Sequence, residues 1–540
     1  MSALCVKRYG CVVDNVDMNT FTLVSGKDIL EVDRYVIDQV GIPSLVLMEN
    51  AGSAVVDALL KDCPTVRSVA IVAGSGNNGA DGLVVARKLA SLGISVDVFL
   101  ISHSTTFKSP EGQLQAQLCD KFDICMHAGI PTNIGLKEYD VVVDAVLGAG
   151  TQSTSLLPDV FQSAFKEINL AKHVVSVDIP SGICPDTGEL LCAHPVRAHT
   201  TVTFGLLKKG LIFYPGASFA GTKLILATIS YPKCLLIELL TVLNPVPELT
   251  ERSALGHKGT FGKALFIAGS DQYYGAPLLS SLSFLKSGGG YSRLVTPVSV
   301  GAVVATQAPE VVQLGDEWSD THIQDADVVV IGPGIGLSES AVWKVKRVIE
   351  QISKGDTGRL KCVIFDGDAL TILGKYYPDW SEVIVQMSGS GVTTILTPHL
   401  GEWKRLFDKN VGSEIEMAEI SRSAIRNIPN LIVVTKGART GIVDSKSILV
   451  NVTGNDGMAT CGSGDVLTGI IGAMVCNMPD VRVAVGAGVF IHGLAGDIAA
   501  SSLGKDGVTA SDIMNKIPGA IEKIRQEKNI LQATYFPQIV

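Results

Sequence analysis

Eight short runs of β-branched and aliphatic residues set the strongest limit on what this chain can fold into. They are SVAIVA (68–73), SVDVFL (95–100), YDVVVDAV (139–146), HVVSVD (173–178), KALFIAG (263–269), ADVVVIG (326–332), KCVIFD (361–366) and LIVVT (431–435). Each is near-continuously apolar, as strands are when a parallel sheet is covered on both faces. Helical patterns fill the intervals. Ile29, Val32, Val36, Ile37 and Val40 recur at helical spacing, and Ser25 with Asp28 offers a capping-box start. The alternation occurs once in each half, which predicts an α/β protein with two doubly wound domains.

Length supports that division, because 540 residues exceed what one core of ordinary size serves. The segment NPVPELTERSALGHKG carries Pro245 and Pro247 among polar residues and reads as a linker. The expected layout is an extension over 1–20, a first domain over 21–240 and a second over 250–535. The net charge of −9 comes without basic runs, which argues against nucleic acid and anionic membranes as partners. No run of about 18 predominantly apolar residues stands out, so no membrane span is expected. The first twenty residues lack an apolar core and carry Asp14 and Asp17, which fits a leader poorly. Eleven cysteines form no CxxC pair, a pattern that gives no zinc site and suits a reducing compartment. Cytoplasmic residence is the expectation.

The segment 69–93 reads as strand, glycine turn, helix. Gly74, Gly76 and Gly79 match GxGxxG, which brings a dinucleotide pyrophosphate to a helix N-terminus. Asp97 lies near the usual offset for a ribose-binding acid, yet inside a strand run. The turn also holds Asn77, Asn78 and Asp81, whose oxygens suit a hard cation or a polyhydroxy ligand. Asp144 ends another strand before a small-residue loop, and Asp178 with Ser181 ends a third. C-terminal strand ends converge on the crevice of an open α/β sheet; taken singly, each acid also reads as a cap or turn former.

In order, LMENAG (47–52), GSGNNGADG (74–82), DAVLGAG (144–150), SVDIPSG (176–182) and TFGLLKKG (203–210) resemble the NAD(P)H-hydrate epimerase family, over roughly residues 20–230. The resemblance implies a Rossmann-like fold and interconversion of the R and S hydrates of NADH and NADPH. It implies potassium held by Asn78, Asp144 and Ser181. It implies hydrate contacts from Asn77, Asn78, Gly79, Ala80 and Asp81, from the loop Gly148, Ala149, Gly150, Thr151, Gln152, Ser153 and Thr154, and from Asp178, the candidate acid/base at C6. Ala80 replaces the glycine usual in the family, and its methyl group is a candidate for crowding the turn.

In the second half, GNDGMATCGSGDVLTGIIGAMV (454–475) is a glycine loop entering an apolar helix, with Asp465 at the helix start. Helix N-terminal amides bind anions, and a carboxylate beside them can take a proton from a hydroxyl attacking phosphate. The plainer reading of Asp465 is a helix cap, which leaves the glycines unexplained. KGART (436–440), GPGIG (332–336), TPHLGEW (397–403) and FDGDAL (365–370) also sit at strand ends; Asp366 and Asp368 suit magnesium or a cap.

With HKGTFGKALFIAGS (257–270), YYGA (273–276) and HGLAGD (492–497), these segments resemble the ribokinase-like NAD(P)H-hydrate dehydratase family over about residues 250–520. The resemblance implies that Lys436, Gly437, Ala438, Arg439, Thr440 and Gly464 bind the adenine nucleotide, ADP or ATP with Mg²⁺. Ala276, Gly334, His399 and Asp465 would bind the hydrate, with Asp465 catalytic. It also implies a homo-oligomer. Cys461 departs from the usual glycine of the anion loop. Two other readings stay open: a small-molecule kinase for a vitamin precursor, and an N-terminal half that only binds or scaffolds.

Overall fold

The computed structural model describes residues 21–101, 106–130, 135–151, 157–232, 241–315 and 318–540. The chain divides into two units, 1–242 with 537–540, and 243–536.

In the first unit the strands are β1 (Ser68–Ala73), β2 (Ser95–Leu100), β3 (Cys125–Ala128), β4 (Val141–Ala145), β5 (Val174–Val177), β6 (Thr200–Phe204) and β7 (Lys223–Ala227). All are parallel, in the order 3-2-1-4-5-6-7. This is the doubly wound dinucleotide order, with its switch point between β1 and β4. The last strand, Gln538–Ile539, adds to the β7 edge in parallel, so the C-terminus returns to the first unit. Helices α1 (Gly26–Tyr35), α2 (Ser44–Asp62) and α3 (Asn77–Ser91) cover the sheet. The Ser25–Asp28 capping box opens α1 as its spacing predicts, and a π-helical turn, Val36–Val40, extends it to Gly41.

In the second unit β8 (Lys263–Ile267), β9 (Tyr291–Val295), β10 (Val312–Gln313), β11 (Val328–Ile331), β12 (Cys362–Phe365), β13 (Thr393–Leu396) and β14 (Leu431–Thr435) are parallel. An antiparallel hairpin, β15 (Gly441–Val443) and β16 (Ile448–Val450), flanks β14. The order 16-15-14-13-12-11-8-9-10 puts a switch point between β8 and β11. All eight strand runs of the sequence are strands here.

One expectation needs correction. The helix Val481–Leu503 has 23 residues and a mean hydropathy of 1.6 over its best window, enough by length and composition to cross a membrane. Its Val485, Phe490, Ile491 and Ala495 are fully buried, and it packs as a core helix of the second unit.

Candidate active sites

In the first unit the strand ends around the switch point open onto a cavity of about 700 Å³. Asn77, Asn78, Asp81, Gly148, Ala149, Gly150, Thr151 and Asp178 line it, as do Asp33, Lys208 and Tyr231. Gly79 makes the turn possible: a Cβ there would lie 1.8 Å from the Gly74 carbonyl oxygen. Gly79 and Ala80 are buried behind the lining. The Ala80 methyl joins the apolar core under α3, so it does not crowd the turn. Gln152, Ser153 and Thr154 lie outside the described residues.

Asp144 is fully buried below the lining. Ser181 Oγ donates to its Oδ1 at 2.6 Å, and Ser181 N and Ser176 Oγ donate to its Oδ2 at 2.9 Å each. Burial pushes its carboxyl up, and the Ser181 bonds oppose that. The Asn78 side chain is buried with neither its oxygen nor its nitrogen hydrogen-bonded. Such an orphaned amide is costly unless a ligand takes it. The Asn78 amide oxygen, the Asp144 carboxylate and the Ser181 hydroxyl are all oxygen donors of the kind a hard cation takes.

Asp178 has φ of +69°, a conformation held only under constraint outside glycine. Lys208, 1% exposed, supplies that constraint with an ion pair of 2.5 Å to Asp178 Oδ1. Ala149 N donates to Oδ2 at 3.0 Å. Asp81 sits across the turn, its carboxyl raised well above the usual range by burial and by the charges of Asp178 and Asp33. Asp97 is not part of this site: Tyr139 donates to it at 2.8 Å and His127 lies 3.2 Å away. The GxGxxG turn therefore comes without the ribose acid of a plain dinucleotide site.

In the second unit, α4 (Ser463–Asn477) starts after Gly462 in a left-handed turn, with Asp465 in its first turn. Burial and then the Asp366 charge push Asp465 up to about 7, against the pull of Lys436. The Lys436 ammonium lies 2.8 Å from Asp366 Oδ1 and 3.8 Å from Glu402 Oε2. A Cβ on Gly464 would sit 3.3 Å from the Lys436 ammonium, which puts the cation at the mouth of α4. His399 caps the helix Leu400–Phe407, its Nδ1 accepting from Gly401 N at 3.0 Å, with Nε2 3.2 Å from Glu402 Oε1. Burial and the Lys436 charge hold its pKa below normal. Gly332 has φ of +125° and lies against the Asp366 carbonyl, where a Cβ would be only 1.8 Å away. Beside it, Gly334 meets Ala276 and Tyr273.

Two placements differ from the simplest reading of KGART. Lys436 turns to Asp366 and the helix mouth. The amides of Ala438 and Arg439 donate to the Glu414 carboxylate at 2.6 and 2.9 Å, and Gly437 abuts the same group. Thr440 closes the turn onto the Gly437 carbonyl at 3.1 Å. Cys461 is exposed, so its side chain stays out of the loop. Sequence reasoning placed Glu402 with His399 at a strand-to-helix turn without giving it a role, and singled out none of Asp33, Lys208, Tyr231 and Glu414. Lys208 and Glu402 lay inside quoted motifs, whereas Asp33, Tyr231 and Glu414 carried no local signal.

Residues 44–210 match the family profile described as the YjeF-related protein N-terminus, and 264–519 match that of NAD(P)H-hydrate dehydratase. The bifunctional NAD(P)H-hydrate repair enzyme of Thermofilum pendens is 39% identical over 529 residues, covering 92% of this chain and 95% of that one. Its counterpart from Moorella thermoacetica is 32% identical, covering 95% and 98%. Among solved structures, the ADP/ATP-dependent NAD(P)H-hydrate dehydratase of Bacillus subtilis, co-crystallised with ATP and Mg²⁺, is 30% identical with a TM-score of 0.44, covering 51% of this chain and 94% of that one. Since these full-length relatives align across both units and nearly end to end, the chain belongs to the bifunctional NAD(P)H-hydrate repair enzyme family.

Proposed function

We propose that the first unit interconverts the R and S hydrates of NADH and NADPH at C6, and that the second dehydrates the S form with ADP or ATP as phosphoryl donor. One observation carries the reading. Each unit holds a carboxylate proposed as catalytic near a lysine: Asp178 pairs with Lys208 at the switch-point strand ends of the first unit, and Asp465, in the first turn of α4, feels the charge of Lys436.

In the first cavity Asp178 is the acid/base at C6, fixed by Lys208 and the Ala149 amide. Asn78, Asp144 and Ser181 would hold potassium, which supplies positive charge beside the hydrated nucleotide. In the second, hydroxide is a poor leaving group, so the C6 hydroxyl is first phosphorylated. Asp465 takes the hydroxyl proton as the oxygen attacks the terminal phosphorus, and the nucleotide leaves one phosphate shorter. The ring nitrogen lone pair then expels orthophosphate and a C5 proton departs, which restores the double bond. The helix amides and Lys436 offset the transferring charge. Magnesium would arrive with the nucleotide and neutralise its phosphate charge; Asp366 and Asp368, the sequence's magnesium-or-cap candidates, here accept from Lys436 and from the Gly336 amide. His399, Ala276 and Gly334 would seat the hydrate, and Lys436 to Thr440 with Gly464 the nucleotide. The committed Ala438 and Arg439 amides put that contact on the loop's outer side chains, or on amides released from Glu414.

The reading takes the chain as a cytoplasmic homo-oligomer that binds neither nucleic acid nor membrane. The test is chiral-resolved chromatography of mixed R and S NADH hydrate with K⁺, Mg²⁺ and ATP, ADP or neither. Loss of both epimers with equal NADH and orthophosphate supports both activities and names the donor. Loss of the S form alone makes the first unit a binding module. No loss, with phosphorylation of a vitamin precursor, replaces the reading with a kinase.

A further inference from the structure

The epimerase cavity contains a polar pair that the reading above leaves unused. Asp33 projects from α1 and Tyr231 follows β7, elements remote in sequence, and the Tyr231 hydroxyl donates to Asp33 Oδ1. The pair is built into place. Gly205 has φ of +65°, and a Cβ there would fall 2.2 Å from the Tyr231 ring, so the bare glycine makes the seat of that ring. Ile29 and Val32 on α1, and Val36 just after it, are buried, anchoring the helix while Asp33 faces the cavity. The ionisable groups that interact with Asp33 include Tyr231, Lys208, Asp178 and Asp81. Burial raises the Asp33 carboxyl, with the Tyr231 bond opposing.

Inversion at C6 makes a demand that one carboxylate does not meet. If the hydroxyl leaves as water from one face and water adds to the other, a proton must be given on the first face and taken on the second. A general acid or base must lie within about 2.6–3.2 Å of its proton, so one fixed group such as Asp178, held by Lys208 and the Ala149 amide, serves one face.

We propose that Asp33 and Tyr231 are the second acid–base couple of the epimerase, giving and taking the proton on the ring face that Asp178 does not reach. This rests on the epimerase reading of the first unit. In one direction the couple protonates the departing C6 hydroxyl, the C6–O bond breaks with its electron pair going to oxygen, and the ring nitrogen lone pair stabilises the cation. Water then adds from the Asp178 side and yields its proton to that carboxylate. The reverse direction exchanges the two roles, and solvent restores both protonation states. No oxidant or reductant enters.

The couple acts on one face only, so its loss separates two events that ordinary damage would lower together. The experiment uses the full chain carrying Asp465→Asn, so that no S hydrate is consumed, with K⁺ and purified R or S NADH hydrate in separate samples in H₂¹⁸O. Chiral chromatography with mass detection reads inversion and oxygen exchange in one sample. Tyr231→Phe and Asp33→Asn are each expected to slow inversion at least about 100-fold, the lower range for losing a positioned acid–base group. Exchange with retention, served from the Asp178 face starting from S hydrate, is expected to persist, so the exchange-to-inversion ratio rises. Inversion at the parent rate in both variants overturns the proposal, as does a parallel fall of exchange and inversion in the sample started from S hydrate. Parent inversion without ¹⁸O uptake overturns it too, because water then does not leave. A parent with no inversion above the spontaneous rate overturns the epimerase reading itself, and is distinct from every other outcome.

Discussion

The Asp465 carboxyl is predicted to set the pH dependence of dehydration. It is a general base only when ionised, and burial with the Asp366 charge pushes it up to about 7. The ionised fraction is then about 0.1 at pH 6, about 0.5 at pH 7 and about 0.9 at pH 8. Dehydratase kcat/KM for the S hydrate should therefore rise nearly tenfold from pH 6 to pH 8. Asp366→Asn removes a charge that raises Asp465, so its limb should move toward acid, by about one unit for a neighbouring charge. The assay is NADH regeneration at 340 nm with saturating nucleotide, with each rate checked against orthophosphate release. A profile flat from pH 6 to pH 8, or an Asp366→Asn limb moved to higher pH, would refute the assignment of Asp465 as the base.

Other expectations follow from the same geometry. Asp465→Asn should abolish dehydration and leave epimerisation intact, and full turnover to NADH by that variant counts against the site. Asp178→Asn should slow epimerisation about 10²–10⁴-fold without affecting dehydration of S hydrate; chiral chromatography with the dehydratase disabled reads it. Gly79→Ala places a methyl on the Gly74 carbonyl and should destabilise the first unit by about 1–3 kcal/mol or more, seen as a lower midpoint in urea; an unchanged midpoint would mean the turn yields. Asn78→Leu fills the space of the orphaned amide and should remove the potassium dependence of epimerisation, while a potassium titration identical to the parent's would exclude Asn78 as a ligand.

Much of the architecture was legible because it rests on local pattern. Apolar runs must be buried on both faces, so eight of them alternating with helices leave little but two parallel sheets. Glycine before a helix leaves amides open, so Asn77–Asp81 and Gly462–Asp465 announced themselves. The Ser25–Asp28 box was readable for the same reason: both partners lie within one turn. Val481–Leu503 escaped notice as an apolar span because glycines and a histidine dilute its run, and only packing distinguishes such a helix from a membrane segment.

What the sequence by itself determined is therefore the fold class, the division in two, and the residues whose signal lies within a few positions of a strand end. Tertiary structure alone decided the electrostatic partners. Lys208 meets Asp178 across 30 residues, Tyr231 meets Asp33 across 198, Lys436 meets Asp366 across 70, and Glu414 meets the KGART amides across 24 and 25. A charge is felt over ångströms of space and not over positions of sequence, so the proton affinities of these sites come into being only when the sheets assemble.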